Sequence, residues 1–249
     1  MSPRPPRHGA DGADGADGAA PITVVLEFPG SGTAGRIRAM DLESQGFTTR
    51  YLLDEFRPRR TGIDEYARQL SERVAEEDVG AVVSYCGAAA VGRHLAAHCR
   101  RRPTLVALNP EPTPAAGVAG LLRRTLARVP LPPEEAERYR ADAGTVREVI
   151  AGWLPDMERA MARSYAGAPL NLGPVADRLA AMQADWLAHV TATCDPDRRP
   201  AGPEELHLVA RDHPCDPDCP AKHETVEVGR ADFFAAPQTR DALIGVLSA

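Results

Sequence analysis

The chain has 249 residues, of which 43% are hydrophobic and 26% charged, and its net charge is −6. A chain of this size and composition is expected to fold as a globular domain with room for an insertion, and its negative charge argues against nucleic acid as a partner. Five cysteines are too few for a disulfide scaffold. The lack of a secretory signal and of an apolar run near ~18 residues predicts a cytoplasmic protein that does not bind membranes.

The first 20 residues are predicted to be a disordered tail. Residues 9–18 form a near-repeat of Gly, Ala and Asp, and no aromatic or branched aliphatic side chain occurs in the tail. Such a segment has too little apolar surface to bury and does not order itself. Residues 21–249 are predicted to form the folded domain.

Strands and helices alternate over the first half of this domain. Apolar runs predict strands at 22–28, 47–53, 81–85 and 104–108. Helices are expected from the glycine-rich loop to about residue 44, at 61–77 by the spacing of apolar residues, and from 88 to about 102. This alternation indicates an α/β fold with a mostly parallel sheet covered by helices on both faces.

The pattern changes between residues 116 and 195, where no strand-like run occurs. Helices are predicted at 121–129, 133–143, 146–166 and 174–193, and together they are expected to form a helical lid over the carboxyl ends of the strands. The sheet is expected to resume with strands at 205–210 and 225–228, and a last helix with 238–247.

A thiol lies where the strand predicted at 81–85 ends. Cys86 is flanked by Ser84 two residues before it and Ala88 two residues after it. Small residues at these positions allow the sharp strand-to-helix turn known as a nucleophile elbow. The N-terminus of the following helix favours a thiolate, so a lowered pKa is expected for Cys86.

The glycine loop at 30–35 permits two interpretations. Its G-x-G-x-x-G pattern between a strand and a helix matches a dinucleotide-binding fingerprint, with Asp54 or Glu55 near the expected ribose-binding position. Alternatively, the backbone at Gly30 and Ser31 joins the N–H of Gly87 to form an oxyanion hole, which a tetrahedral intermediate would occupy.

The order of these motifs resembles the thioesterase branch of the α/β-hydrolases, which serves nonribosomal peptide and polyketide synthases. The resemblance covers residues 22–249, and the family's variable lid corresponds to the middle helices. It rests on the order and spacing of the segments 28–32, 62–67, 84–88, 105–109 and 229–234. The resemblance implies an α/β-hydrolase fold with a helical lid insertion.

The sequence departs from that family at its catalytic positions. Cys86 replaces the nucleophilic serine, and Asn109 lies where the family often has its acid, although asparagine can also orient an imidazole. Asp212 is the other acid position that the resemblance implies. The family's histidine position holds Ala231 or Asp232, so a base must come from elsewhere in the chain or the protein is not an ordinary hydrolase.

A candidate source of that base is a short segment with two cysteines and two histidines, His213, Cys215, Cys219 and His223. Thiolate and imidazole are preferred ligands of tetrahedral zinc, so one interpretation of these four residues is a structural zinc site. A Cys215–Cys219 disulfide is a second interpretation, disfavoured in a reducing compartment. A third makes His213 or His223 the catalytic base, and a fourth makes the segment a polar surface loop.

The resemblance implies an enzyme that attacks a carrier-bound thioester with Cys86. The substrate would be an acyl or peptidyl chain on the phosphopantetheine arm of a carrier protein in natural-product biosynthesis, and no cofactor would be required. Because a cysteine acyl-enzyme is itself a thioester, transfer and cyclisation are open beside hydrolysis. The alternatives are a dinucleotide-binding oxidoreductase, based on the loop at 30–35, and a catalytically silent thioesterase-like binding protein, based on the missing histidine.

Overall fold

The computed structural model describes residues 20–28, 37–111, 173–195, 198–202, 204–215 and 218–249. Most of the predicted tail, the glycine loop and the lid helices predicted between 116 and 172 lie outside the described residues. The domain boundaries assigned from the sequence therefore stay a prediction.

Six strands form one sheet in the described part of the chain, and every neighbouring pair is parallel. Their order across the sheet is β2-β1-β3-β4-β5-β6. The strands are β1 Ile22–Leu26, β2 Thr48–Tyr51, β3 Val79–Tyr85, β4 Thr104–Leu108, β5 Leu206–Ala210 and β6 Lys222–Val226. The predicted parallel α/β sheet is confirmed.

Helices pack on both faces of this sheet. The described α-helices are α1 Leu52–Glu55, α2 Ile63–Ser71, α3 Ala88–His98, α4 Gly173–Thr193 and α5 Pro237–Leu247. One apolar layer packs α2, α3 and α4 against the sheet, and the other packs α5 and the 3-10 helices Ile37–Met40 and Leu42–Gln45. Among the described residues, no helix is both long and apolar enough to cross a membrane.

Central strands carry apolar side chains on both faces because both faces are covered. All five residues of β1 are buried; Val24 and Leu26 contribute to one layer and Val25 to the other. Burial of each such side chain stabilises the fold by about 1.5–3 kcal/mol. Continuous apolar runs of this kind made the inner strands predictable from sequence.

Element ends differ from prediction where local backbone geometry intervenes. The helix expected before residue 44 is instead two short 3-10 helices, separated by Asp41 at a left-handed φ of 51°. The strand expected at 47–53 ends at Tyr51, and α1 follows directly. The helix expected at 61–77 ends as α2 at Ser71 and tightens into a 3-10 turn, Glu72–Val74.

A buried histidine lies in the layer between α4 and the sheet. The His189 ring is stacked on Phe28 with a centroid distance of 4.9 Å, and its Nδ1 lies 3.2 Å from the Tyr66 hydroxyl. Burial lowers the pKa of His189 to about 3. The folded protein therefore holds this imidazole neutral at physiological pH.

A neutral buried histidine predicts a fold that is sensitive to acid. Below a pH of about 6.5 the unfolded chain binds a proton at this residue, whereas the folded chain does so only near its pKa of about 3. The free energy of unfolding should fall as the pH drops through this window, by on the order of 1 kcal/mol per pH unit. Urea unfolding at several pH values in this window gives the free energy of unfolding as a function of pH. This free energy should change less steeply with pH in His189→Asn than in the wild type, and an equal dependence on pH would contradict a neutral His189.

Candidate active site

Cys86 lies in the turn that joins β3 to α3. Its φ is 53°, in the left-handed region that costs a non-glycine residue on the order of 1–3 kcal/mol. Its N–H donates to the carbonyl of Leu108 on β4 at 3.1 Å, and its carbonyl accepts from the N–H of Ala89 at 3.2 Å. The turn has the conformation of a nucleophile elbow, held by a central strand on one side and a helix on the other.

Small residues bring α3 close enough to β3 for this turn to form. A Cβ added at Gly92 on α3 would lie 3.4 Å from both Cβ and Oγ of Ser84. Ser84 is buried, and its hydroxyl donates to the carbonyl of Val106 at 3.4 Å. A larger side chain at position 84 or 92 would push α3 away from the sheet and displace Cys86 with it.

The electrostatic environment of the Cys86 thiol differs from the one expected. Burial raises the pKa of Cys86 above its ordinary value, and this effect outweighs the N–H of Gly87, which favours the thiolate. Glu111 raises the pKa further, while the Arg230 guanidinium lowers it. The expected lowering by the helix N-terminus is therefore wrong, and the thiol is protonated at neutral pH.

An ion pair lies close to the thiol. Arg230 and Glu111 are joined at 2.6 Å, and both side chains are partly exposed. The backbone N–H of Arg230 donates to Oδ1 of Asp212 at 2.8 Å. Asp212, one of the two predicted catalytic acids, thus fixes the backbone that carries Arg230, and no described histidine hydrogen-bonds to it.

Asn109, the other candidate for the acid position, uses its side chain to hydrogen-bond the backbone of the sheet. It is only 2% exposed, and its φ of 42° is left-handed. Its Oδ1 accepts a hydrogen bond from the N–H of Ala210 at 2.8 Å, which ties the end of β4 to the end of β5. In the described structure Asn109 joins two strands and contacts no imidazole.

The two histidines predicted as replacement bases have hydrogen-bond partners other than Cys86. Nε2 of His213 lies 3.1 Å from the carbonyl of Pro110, and burial lowers the pKa of this histidine. Nε2 of His223 lies 3.0 Å from Sγ of Cys215. No histidine in the described part of the chain hydrogen-bonds to the Cys86 thiol, so neither predicted base is brought to it.

One half of the predicted oxyanion hole is visible. Gly87 is the residue just before α3, and its N–H is directed at the Cys86 sulfur. The other half was assigned to Gly30 and Ser31, which lie outside the described residues. Their role stays a prediction.

A cavity of about 570 Å³ opens beside Cys86. Its size lies within the range of small-molecule sites. Its walls come from α3, the segment after β4, the segment before β5 and the β5–β6 connection, represented by Arg93, Glu111, Arg199 and Cys219. The thiol thus faces a space large enough for a small acyl chain or the end of a cofactor-like arm.

Four histidine and cysteine side chains, of the types that commonly bind metals, meet in one wall of this cavity or directly behind it. The ligand atoms of His207, Cys215, Cys219 and His223 all lie within 4.8 Å of one another. Three of them were predicted, but the fourth is His207 and not His213. His207 on β5 is the register partner of His223 on β6. Sequence reasoning could have found this pairing only with β6 starting at Lys222, whereas the predicted strand started at residue 225.

Comparison with solved structures identifies the fold. A mutant of a putative epoxide hydrolase from Pseudomonas aeruginosa matches with a TM-score of 0.51 and 16% identity, over 93% of this chain and 89% of that one. The chain has the α/β-hydrolase fold. The fold class and the fold implied by the sequence resemblance are thereby confirmed.

Thioesterases also occur among the similar structures. RedJ, the thioesterase from the prodiginine biosynthetic pathway of Streptomyces coelicolor, matches with a TM-score of 0.42 and 13% identity, over 91% of this chain and 84% of that one. The Vlm2 thioesterase domain matches with a TM-score of 0.44 and 15% identity, over 91% and 92%. Similarity this distant carries no information on the reaction. No protein-family model and no curated protein matches the sequence.

The ion pair predicts opposite shifts of the Cys86 pKa in two variants. Glu111→Gln should lower the pKa because it removes a nearby negative charge, and Arg230→Gln should raise it because it removes the opposing positive charge. Each shift should be a fraction of a pH unit, since both side chains are partly exposed and screened by solvent. The pH dependence of iodoacetamide labelling at Cys86, followed by peptide mass spectrometry, measures both.

Cys99 supplies an internal reference for this titration. It lies just after α3, and burial alone raises its pKa, so neither substitution should change its labelling. A wild-type Cys86 midpoint below the ~8.5 of a free thiol would contradict the burial effect. Shifts of the same sign in both variants would contradict the assigned roles of Glu111 and Arg230.

Proposed function

We propose that this protein is a thioesterase-like enzyme that uses Cys86 to take an acyl or peptidyl group from a thioester. The substrate is carried on the phosphopantetheine arm of a carrier protein, and the acyl group leaves the enzyme by hydrolysis, transfer or cyclisation in a biosynthetic pathway. One observation carries the proposal: Cys86 occupies a left-handed strand-to-helix turn beside a cavity of about 570 Å³.

The position of this turn in the sheet supports a reacting group. In open α/β sheets, ligands bind beyond the carboxyl ends of the strands where the strand order reverses. Here β1 lies between β2 and β3, so the order reverses between β1 and β3. Cys86 directly follows β3 at that point, and a strained backbone conformation is retained there at a cost in stability.

The proposed reaction is an exchange between two thiols. The Cys86 sulfur adds to the substrate carbonyl, and the developing oxyanion accepts a hydrogen bond from the N–H of Gly87. Collapse of this intermediate breaks the bond from carbon to the pantetheine sulfur. The pantetheine thiol leaves with the proton that Cys86 has lost, and the acyl group stays on Cys86 as a thioester.

The exchange breaks one thioester bond and forms another, so it does not require a strongly activated thiol. A thioester is consumed and a thioester is formed, so little free energy is needed to load the enzyme. Water, an amine or a hydroxyl of the chain then attacks the acyl-cysteine. Because Cys86 is protonated at neutral pH and no described histidine bonds to it, the loading rate should rise with pH.

Positive charge at the cavity supports a phosphate-bearing substrate. Arg198 and Arg199 are exposed and line the cavity together with Cys86. Guanidinium groups bind phosphate through charge-assisted hydrogen bonds. The phosphodiester of a phosphopantetheine arm is therefore proposed to lie at these arginines while the thioester reaches Cys86.

The oxidoreductase alternative has little support in the described structure. The usual dinucleotide-binding sheet has the order 3-2-1-4-5-6, which differs from the order β2-β1-β3-β4-β5-β6 found here. Both carboxylates considered for ribose binding are paired with arginines: Asp54 with Arg38 at 2.8 Å, and Glu55 with Arg50.

The catalytically silent alternative is favoured by two observations and needs a direct test. The Cys86 pKa is raised, and no described histidine hydrogen-bonds to the thiol, so Cys86 lacks the usual means of activation. A silent member would bind the acylated arm in the same cavity without turnover. Binding and chemistry must therefore be measured separately.

Turnover of synthetic acyl-pantetheine thioesters, with and without an amine acceptor, separates these functions. Cys86→Ala should reduce turnover by a factor on the order of 10³ or more, whereas Cys99→Ala should leave it unchanged. Turnover should rise with pH as the thiol ionises. Turnover that survives in Cys86→Ala would contradict the proposed nucleophile, and saturable arm binding without turnover would establish the silent alternative.

A further inference from the structure

Two of the clustered ligands come from neighbouring strands of the sheet. His207 on β5 and His223 on β6 are partners in the parallel register, and their ring centroids lie 5.1 Å apart. Registered residues of adjacent strands point to the same face, so both imidazoles approach from one side. The two cysteines, Cys215 and Cys219, come from the connection that joins these strands.

The distances fit a single tetrahedral metal ion. Cys215 Sγ lies 3.0 Å from His223 Nε2, Cys219 Sγ lies 3.6 Å from His207 Nδ1, and all four ligand atoms fall within 4.8 Å. With Zn–S bonds near ~2.3 Å and Zn–N bonds near ~2.0 Å, tetrahedral ligands lie roughly 3.3–3.8 Å apart. The measured separations of 3.0 and 3.6 Å lie close to this range.

Buried partners behind His207 hold it in the tautomer that a metal requires. Its Nε2 lies 3.1 Å from Oε1 of Glu205, which leaves Nδ1 facing Cys219. Glu205 is itself only 3% exposed and is paired with Arg93 on α3 through two hydrogen bonds of 2.7 and 3.1 Å. A carboxylate behind a ligating histidine is the usual outer shell of a protein zinc site.

The β5–β6 connection has little apolar surface with which to pack on the sheet. It runs from Arg211 to Ala221 and contains no Phe, Tyr, Trp or branched aliphatic residue. Parallel strands are normally joined by a crossover, usually a helix, whose apolar face covers the sheet. No helix occurs in the described residues of this connection, so a metal bound to two strand histidines would supply the missing anchor.

We propose that His207, Cys215, Cys219 and His223 bind one Zn²⁺ ion, which fastens the β5–β6 connection to the sheet. Four protein ligands fill a tetrahedral shell and leave no open position, so the ion is structural and takes no part in attack on the substrate. The site also shapes the cavity, because His207, Cys215 and Cys219 line it together with Cys86. The proposal stands independently of the proposed reaction.

Metal content tests the site with a matched pair of histidine variants. Protein purified without an affinity tag in the presence of Zn²⁺ and a reductant should contain about one zinc per chain after dialysis. His213→Ala should keep its zinc, because His213 contacts the Pro110 carbonyl and is absent from the cluster. His207→Ala and a Cys215→Ser/Cys219→Ser double variant should lose it.

Three further measurements keep the test decisive if His207→Ala fails to fold. His223 is exposed, so His223→Ala should fold, as circular dichroism would show, and should lose zinc. Glu205→Gln should weaken zinc affinity by about 10–100-fold. Cobalt substitution of the wild type should give the visible absorption of tetrahedral thiolate-bound Co²⁺.

Three outcomes would overturn the proposal. They are wild-type protein that binds no Zn²⁺ under reducing conditions, zinc that is lost in His213→Ala but retained in His207→Ala, and a Cys215–Cys219 disulfide that persists in place of metal. All three readouts are independent of turnover. A zinc-free protein with full thioesterase activity would therefore refute the metal site and leave the role of Cys86 intact.

Discussion

The left-handed turn at Cys86 is the constraint on which the rest of the site depends. A cysteine adopts a φ of 53° only when its surroundings enforce it. Here the N–H bond to Leu108 fixes the turn to β4, and the contact of Gly92 with Ser84 sets the distance between α3 and β3. Loss of either restraint would let the backbone relax and move the thiol from the cavity.

The turn at Cys86 has two opposing effects on the pKa of its thiol. The turn places Cys86 against the N-terminus of α3, where the N–H of Gly87 favours a thiolate, but it also partly buries the residue. Burial is the stronger effect, so the Cys86 thiol is held in its protonated form. The thioester exchange proposed for Cys86 would therefore start from the protonated thiol and would be slow at neutral pH.

The cavity extends from this turn, next to a central strand, toward the β6 edge of the sheet. One side is α3, whose Arg93 pairs with the buried Glu205, and the other includes the connection between β5 and β6. Glu205 in turn contacts His207, so a chain of polar contacts runs from α3, the helix after Cys86, to the histidine and cysteine cluster. Movement of that connection would change the shape of the space that Cys86 faces.

The parts of this structure that were predictable from sequence depend on local patterns. Apolar runs identified the buried strands, and the small residues around Cys86 identified the turn. β6 begins three residues earlier than predicted. It is an edge strand with four of its five side chains exposed, so its sequence lacks the apolar pattern that identified the other strands.

The errors at the site have a different cause, because they depend on contacts between distant parts of the chain. His207 joins the cluster because its strand register places it beside His223. The side chain of Asn109 accepts a hydrogen bond from the N–H of Ala210 on β5. The direction in which the pKa of Cys86 shifts depends on how far the folded protein buries the thiol.

The central claim is that Cys86 carries the acyl group, and intact-protein mass spectrometry after brief mixing with an acyl-pantetheine thioester tests it most directly. The wild-type chain should gain the mass of one acyl group, peptide mapping should place it on Cys86, and hydroxylamine should remove it. Cys86→Ala should gain nothing, while Cys99→Ala should behave as the wild type. Turnover without such an adduct, or an adduct that persists in Cys86→Ala, would contradict this account of the site.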